Sequence, residues 1–302
     1  MMPPAMHKLA VTKLFHEITP GQTRLGFFGK DDRLLDVWFD PLHRPNLIGS
    51  VHHIHIERVF PNQNRAAGRL DDGVQVSVKL RKADAPLVTA GAVLPVTITA
   101  APRHDKPWQA MIGARLASEG MILLIGLSDG AAATALSNRI PTEQRAALKA
   151  RLAAEAMATL PAGFGVILRR NGVDLPDFAS EVSRLVGMWQ ASASDLTKNQ
   201  TGIIFDGGGF LARAKRLVGD VMVLDDPADA AAMSCQLDDA IAAAILPKTP
   251  LACGGHLWCE QSHALWSIDL DSNGVSNFDR LFDEAANEIA RQIRLRAMSG
   301  PV

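Results

Sequence analysis

The chain has few cysteines, little net charge and no long apolar run, and each shortage excludes a class of protein. Its three cysteines have no paired spacing, which argues against a disulfide framework or a zinc site and indicates a reducing compartment. The formal net charge of −1 gives no global basic field, so any nucleic-acid binding must come from local patches. No apolar run could span a bilayer, and no secretory signal precedes the first predicted strand. We therefore expect a soluble, cytoplasmic, globular protein.

Short β-like runs dominate the first part of the chain. The 302 residues, 47% of them hydrophobic, can build substantial cores and predict two or more domains. From Asn46 to about Gly113, many short strands lie close together between Gly, Pro, Asn and Asp residues. This spacing predicts a small β-barrel, of which the five-stranded oligonucleotide-binding barrel is one form. Residues 114–195 predict a mixed α/β segment, and an alanine-rich helix is predicted at Pro227–Leu246.

Two acidic side chains are predicted to share one face of a late strand. Apolar runs flank Gln261-Ser262-His263 and predict a β-hairpin. Because side chains alternate along a strand, Asp269 and Asp271 would lie on one face, roughly 6–7 Å apart. Two carboxylates at that spacing can share one hard cation, directly or through its waters. The alternative is a strand that runs into a solvated DSNG turn.

A helix is predicted directly after this strand. Asn277 or Ser276 can cap it, and Gly300-Pro301 would end it. Arginines near its end are typical of a solvated face, although they would also suit a phosphate backbone. The apolar residues at helical spacing are Phe278, Leu281, Phe282, Ala285, Ala286, Ile289 and Ile293; the arginines are Arg291, Arg294 and Arg296.

Three segments resemble the ribonuclease E/G family. GGHLWCEQSHALWSIDLDSN is similar to that family's glycine pair, strand, Q/S-T-E-A-L turn and I-D-V/I-N-S strand end. EAANEIARQIRLRAMSG resembles its EAADEIARQLRLRDLGG helix, and NLIGSVHHIHIERVFPNQNRAAGRLDDG resembles the opening of its S1 domain. The resemblance implies an α+β fold of several subdomains. These are a ribonuclease H-like structural subdomain (1–45 and 196–245), an inserted S1/OB-like β-barrel (46–113), an α/β 5′-sensor-like subdomain (114–195) and a partial DNase I-like catalytic subdomain (246–302).

The resemblance also implies a Mg²⁺ site on the hairpin. Asp269 matches the family's metal-binding aspartate, and Asp271 stands where the family has an orienting asparagine. A second metal-binding aspartate of the family follows the arginine-rich helix, and the chain stops at Val302, short of it. We therefore expect either a catalytic half truncated before that aspartate or a protein that has diverged from catalysis.

Four basic residues match RNA-binding positions of the family. Lys106 aligns with a lysine that lies beside the bound RNA. Arg169, in VILRRNG, matches an arginine that binds the RNA 5′-monophosphate, and Arg170 replaces the following threonine. Arg139, in LSNRI, keeps one of two arginines of that pocket. An arginine fork suits a terminal phosphate well, although Arg169 could instead be an ordinary surface arginine.

The barrel departs from the family where aromatic rings stack on RNA. Gly68 stands in place of one aromatic residue, and the second falls among Val74, Val76 and Val78. Such stacking contributes roughly 1–3 kcal/mol per base, so single-strand binding should be weaker.

Together these expectations describe a Mg²⁺-dependent endoribonuclease that acts on single-stranded RNA in RNA processing or decay. The alternative is a non-catalytic RNA-binding accessory protein that retains the scaffold. A third alternative is a protein with no RNA role. Formation of a homo-oligomer also stays open.

Overall fold

The structure is a computed structural model, which describes residues 11–43, 46–80, 88–102, 106–126, 132–193, 200–219, 221–224, 227–262 and 265–298. Within these residues it has seventeen strands and five α-helices. The strands are β1 (Lys13–Thr19), β2 (Gln22–Phe28), β3 (Leu34–Pro41), β4 (Val51–Phe60), β5 (Arg65–Arg69), β6 (Gln75–Lys79), β7 (Val93–Ala100), β8 (Trp108–Ile112), β9 (Ala114–Ala117), β10 (Met121–Ile125), β11 (Ala133–Leu136), β12 (Phe164–Leu168), β13 (Gly202–Phe205), β14 (Met222–Leu224), β15 (Lys248–Pro250), β16 (His256–Gln261) and β17 (Trp266–Asp271). The helices are α1 (Thr142–Ala156), α2 (Phe178–Ser192), α3 (Phe210–Val218), α4 (Pro227–Ile245) and α5 (Phe278–Leu295).

The described part of the chain forms two compact units. The barrel unit lies within residues 46–220, and the two-sheet unit within residues 8–45 and 221–302. The α+β class is therefore confirmed, whereas the ribonuclease H-like and DNase I-like assignments and the four subdomain boundaries remain predictions.

A closed five-stranded barrel is the first part of the barrel unit. Its strands follow the order β4-β5-β6-β8-β7, and β4 pairs with β7 to close it. The pairings are antiparallel except β6 with β8, and β13 adds to the outer edge of β4. The alternating residues of β4 and β6 that point inward, Ile54, Ile56, Val76 and Val78, are buried in its core. This OB-like barrel confirms the one predicted from strand spacing.

The second part of the barrel unit packs two helices on a four-stranded sheet. The strand order is β11-β12-β10-β9. Phe178, Val182, Leu185 and Trp189 lie at helical spacing on α2 and are all buried against this sheet. Asp177 caps α2 by accepting a hydrogen bond from the Ser180 N–H. The sequence TEQRAALKARL favours Thr142 as the cap of α1, but Thr142 is the first helical residue, and Pro141 before it makes no side-chain cap.

The two-sheet unit contains a four-stranded and a three-stranded sheet. The first has the order β14-β1-β2-β3, in which β1 and β14 run parallel. Leu237 of α4 is buried with Phe15 and Phe28 on this sheet. The second sheet has the order β15-β16-β17 and packs one face against α5. Asp225 and Asp226, which precede α4 and are predicted from the sequence to cap it, lie outside the described residues, as do Gly300 and Pro301, which are predicted to end α5.

Candidate metal and RNA site

The predicted hairpin is present, and it places both aspartates on an open face. β16 and β17 pair antiparallel, with Trp258 opposite Asp269 and His256 opposite Asp271. Along β17, exposed residues alternate with half-buried ones, and Asp269 and Asp271 are both exposed. The opposite face carries Leu257 and Cys259, which are buried against α5. The alternation predicted for β17 is thus confirmed.

The glycine pair before β16 lets the chain pass close to both α5 and β17. A Cβ on Gly255 would lie 2.5 Å from Leu281 Cδ1 and 3.0 Å from the Asp271 carbonyl oxygen. Gly254 has a φ of +103°, which side-chain-bearing residues rarely adopt. The pair therefore fixes the entry of the hairpin against the helix beneath it.

The two carboxylates differ in their local contacts. Asp271 Oδ1 accepts a hydrogen bond of 2.9 Å from the Asn273 N–H, and Asn273 Nδ2 donates to the Gly254 carbonyl over 3.2 Å. Asn273 and Gly274 both have positive φ, as expected for the DSNG turn. Asp269 has no hydrogen bond or ion pair to any residue in the described part of the chain. Its carboxylate is therefore directed to solvent rather than tied to neighbouring amides.

The pair fits a hard cation that retains most of its waters. Exposed carboxylate oxygens are the ligands that Mg²⁺ takes, and it commonly uses only one or two of them. Across the described ranges, no group of three His, Cys, Asp or Glu residues could hold a metal ion.

The arginine row of α5 is not a solvated face. Arg291 hydrogen-bonds Glu288 over 2.7 Å and the Leu34 carbonyl over 2.7 Å. Arg294 Nε lies 3.4 Å from Asp36 Oδ2, and Arg296 donates to the Leu246 carbonyl over 2.5 Å. Because their guanidinium groups bind protein atoms, these arginines join α5 to its neighbours and are not set out along a phosphate backbone.

Glu288 is the centre of this polar cluster and is only 1% exposed. Burial acts to raise its pKa, but hydrogen bonds from Arg291 and Gln292 and the charge of Arg33 outweigh burial and hold the pKa below its ordinary value.

The apolar stripe predicted for α5 was wrong at some of its positions. Phe278 and Phe282 are 54% and 58% exposed, whereas Glu288 and Gln292 take buried positions.

Of the three arginines predicted to bind a 5′-phosphate, Arg139 and Arg169 lie near each other in the barrel unit. Arg169 Nη1 donates to the Ser118 carbonyl over 2.6 Å, which holds this half-buried side chain at the β9–β10 turn. Burial, followed by the like charge of Arg139, lowers the pKa of Arg169. Arg139 and Arg170 are both exposed. Arg139 and Arg169 are therefore close enough to interact electrostatically, while Arg170 shows no interaction with them.

The barrel surface explains the missing aromatic residues in physical terms. A Cβ on Gly68 would lie 2.6 Å from the His55 carbonyl oxygen, so no larger side chain fits there without a shift of β4. Val76 and Val78 point into the barrel core. Lys106, the remaining family-like contact on this barrel, is exposed.

Sequence analysis missed two residues beside the carboxylates, Trp258 and Lys248. Lys248 pairs with Trp258 across β15 and β16, and its Nζ lies 5.4 Å from the centre of the indole ring. Trp258 is half-buried and belongs to the same face as Asp269. The alternation of GGHLWCEQ could have revealed Trp258, but only the pairing register shows which aspartate lies beside it.

Five-stranded barrels of the OB type bind oligonucleotides in many proteins, and exposed carboxylates are ligands that Mg²⁺ takes. The model of the ribonuclease E/G family matches residues 219–302, which contain both aspartates, and so supports a ribonuclease E/G family protein. No curated protein matches the chain. None of the described helices has the length and apolar character needed to cross a membrane.

Proposed function

We propose that the chain is a Mg²⁺-dependent endoribonuclease of the ribonuclease E/G type, which cuts single-stranded RNA in RNA processing or decay. The observation that carries the proposal is the exposure of Asp269 and Asp271 on one open face of the hairpin, within the segment that matches the family. Asp269 would bind the metal directly, and Asp271 would bind it or orient one of its waters. The family match supports ribonuclease function without naming the ion or the RNA.

Each carboxylate has a defined role in this proposal. Asp269, which lacks a protein partner in the described part of the chain, is available as a ligand. Asp271 is held by the Asn273 N–H, so one of its oxygens is oriented and the other can face a metal-bound water. The chemistry that Mg²⁺ supplies when bound is a lower pKa for an attacking water and compensation of charge on the phosphate oxygens.

Cleavage of 5′-monophosphorylated single-stranded RNA in Mg²⁺ tests the proposal. Asp269→Asn should reduce the rate of cleavage about a hundredfold, because one neutral amide replaces the charged ligand. Asp283→Asn is the matched control, since Asp283 is an equally exposed acid on α5, and its rate should equal that of the unaltered chain. Cutting that survives Asp269→Asn would refute the assignment of the site.

A non-catalytic RNA-binding protein is the second candidate function. It is favoured by the aspartate at position 271, whose extra negative charge would repel the scissile phosphate, and by the loss of the family's aromatic residues at Gly68 and among Val74, Val76 and Val78. Salt-dependent RNA binding without turnover, at every Mg²⁺ concentration tried, would support this candidate over the nuclease.

A further inference from the structure

Lys248, Trp258 and Asp269 form one row across the three-stranded sheet. Lys248 is the register partner of Trp258, and Trp258 is the register partner of Asp269. Directly opposite residues in antiparallel strands extend to the same face, with neighbouring strands about 5 Å apart. A cation, an aromatic ring and a carboxylate thus lie side by side on the open face of the hairpin sheet.

The ring of Trp258 is not used in the core of its unit. The core beneath this sheet contains the side chains of the opposite face, including Leu257, Cys259 and Trp266. Trp258 instead lies between Lys248 and Asp269, and its ring contact in the described part of the chain is with the Lys248 ammonium. An accessible aromatic ring of this kind can stack on a nucleic-acid base, because every base has a π-face.

We propose that Trp258 stacks on a base of single-stranded RNA next to the cleaved linkage, and that Lys248 contacts the phosphate on the far side of that base. This inference rests on the proposed function, because it assigns the RNA position relative to Asp269. A base on Trp258 would bring a phosphate of the same nucleotide to the neighbouring strand, where Asp269 lies.

The negative charge of the sheet face requires that RNA bind there together with a cation. Glu260, Asp269 and Asp271 are exposed on this face, whereas Lys248 is its cation among the described residues of the sheet. A free polyanion would be repelled by the three carboxylates, and a divalent ion on Asp269 and Asp271 would remove most of that repulsion. Stacking on Trp258 should therefore contribute to affinity mainly when Mg²⁺ is present.

This contact would replace stacking that the barrel lacks. The barrel positions at Gly68 and Val76 carry no ring, and Gly68 has no space for one. Trp258 would move the stacking platform to the sheet that bears the carboxylates. Base recognition would then be coupled directly to the place of cleavage.

Binding of a fluorescent single-stranded RNA to the full chain tests the proposal, with cleavage blocked by Ca²⁺ in place of Mg²⁺. Trp258→Leu should weaken binding about tenfold, and Trp258→Phe should retain most of the affinity. An abasic strand with the same phosphates should bind equally to the unaltered chain and to Trp258→Leu. Phe278→Leu is the control for an exposed aromatic residue away from this face, and it should have no effect.

Photocrosslinking of RNA that contains 5-iodouridine gives a second measurement that needs no variant. A crosslink at Trp258 is expected. Unchanged affinity in Trp258→Leu, or crosslinks confined to other residues, would overturn the inference. The result is separable from the proposed function: a chain that binds through Trp258 but never cuts loses only the nuclease proposal, and a chain that cuts without Trp258 loses only this one.

Discussion

Arg216 is a charged residue of the barrel unit that is 6% exposed and has no hydrogen-bond partner for Nε or Nη1 within the described ranges. Burial, together with the nearby charge of Arg184, lowers its pKa to about 10, while Asp206 acts in the opposite direction. The group is therefore still protonated at neutral pH and bears an uncompensated desolvation cost. A cation–π contact with the Phe205 ring, 5.9 Å away, offsets a small part of this cost.

Replacement of Arg216 by methionine should stabilise the protein. Met has a similar length and no charge to desolvate, so we expect the free energy of unfolding to rise by about 1–3 kcal/mol in urea denaturation. Arg69→Met is the control, because Arg69 is half exposed and pairs with Glu57, and its effect should stay within about 0.5 kcal/mol. A clear loss of stability in Arg216→Met would show that the buried guanidinium is needed by the fold.

At the scale of single elements, α5 is the helix that supports the candidate site. Its Leu281 and Ala285 pack under the hairpin, and its later turns bind Leu34, Asp36 and Leu246 through arginines. Asn277 caps it by accepting a hydrogen bond from the Arg280 N–H, as predicted. Arg296 also donates to Thr249 Oγ1 of β15 over 3.4 Å, so polar contacts as well as apolar burial attach the helix to both sheets of its unit.

Asp36, which meets α5 through Arg294, predicts a pH dependence of stability. Burial raises the pKa of Asp36 to about 6, against the lowering effects of Arg294 and of hydrogen bonds from Val37 and Trp38. Since the folded pKa exceeds the unfolded value of 3.8, the folded state holds this proton more tightly. The contribution of Asp36 is therefore fully present below pH 3.8 and is lost as the pH rises through about 6.

Asp36→Asn should remove this dependence. Relative to the unaltered chain, the variant should gain stability between pH 4 and pH 6.5 by about 2 kcal/mol, because only the carboxyl loses a proton in that window. Urea unfolding at several pH values measures the difference. Asp31→Asn is the control, since Asp31 is an exposed turn residue. Parallel pH profiles for the unaltered chain and Asp36→Asn would contradict the prediction.

The sequence predicted the hairpin correctly and the buried face of α5 only in part. Strand alternation correctly placed Asp269 and Asp271 together, because a strand with one buried face leaves little freedom of register. Helical periodicity failed at Phe278 and Phe282, which are exposed. It also failed at Glu288 and Gln292, which are buried and accept hydrogen bonds from Arg291 and Arg296. Lys248 and Trp258 lie in the same row as Asp269 because three separate strands pair in one register. No local sequence pattern contains that information.

At the scale of the whole molecule, charge limits how RNA can bind. A net charge of −1 provides no long-range attraction, so affinity must come from a few phosphate contacts and from stacking. The proposed contacts are Lys106, Arg139, Arg169, Arg170 and Lys248. Because each contact to a single strand contributes about −0.7 to the slope of log K against log salt, the total slope should be shallow, about −3.5 or smaller in magnitude.

Lys106→Gln should therefore reduce the magnitude of that slope by about 0.7, since one phosphate contact is lost. Affinity measured by fluorescence anisotropy over a range of KCl concentrations gives the slope. Lys30→Gln is the matched control, because Lys30 is an equally exposed lysine in a turn of the other unit, and its slope should not change. If Lys106→Gln and Lys30→Gln behave alike, the barrel surface near Lys106 does not contact the RNA backbone, and binding must depend on Arg169 and the hairpin face.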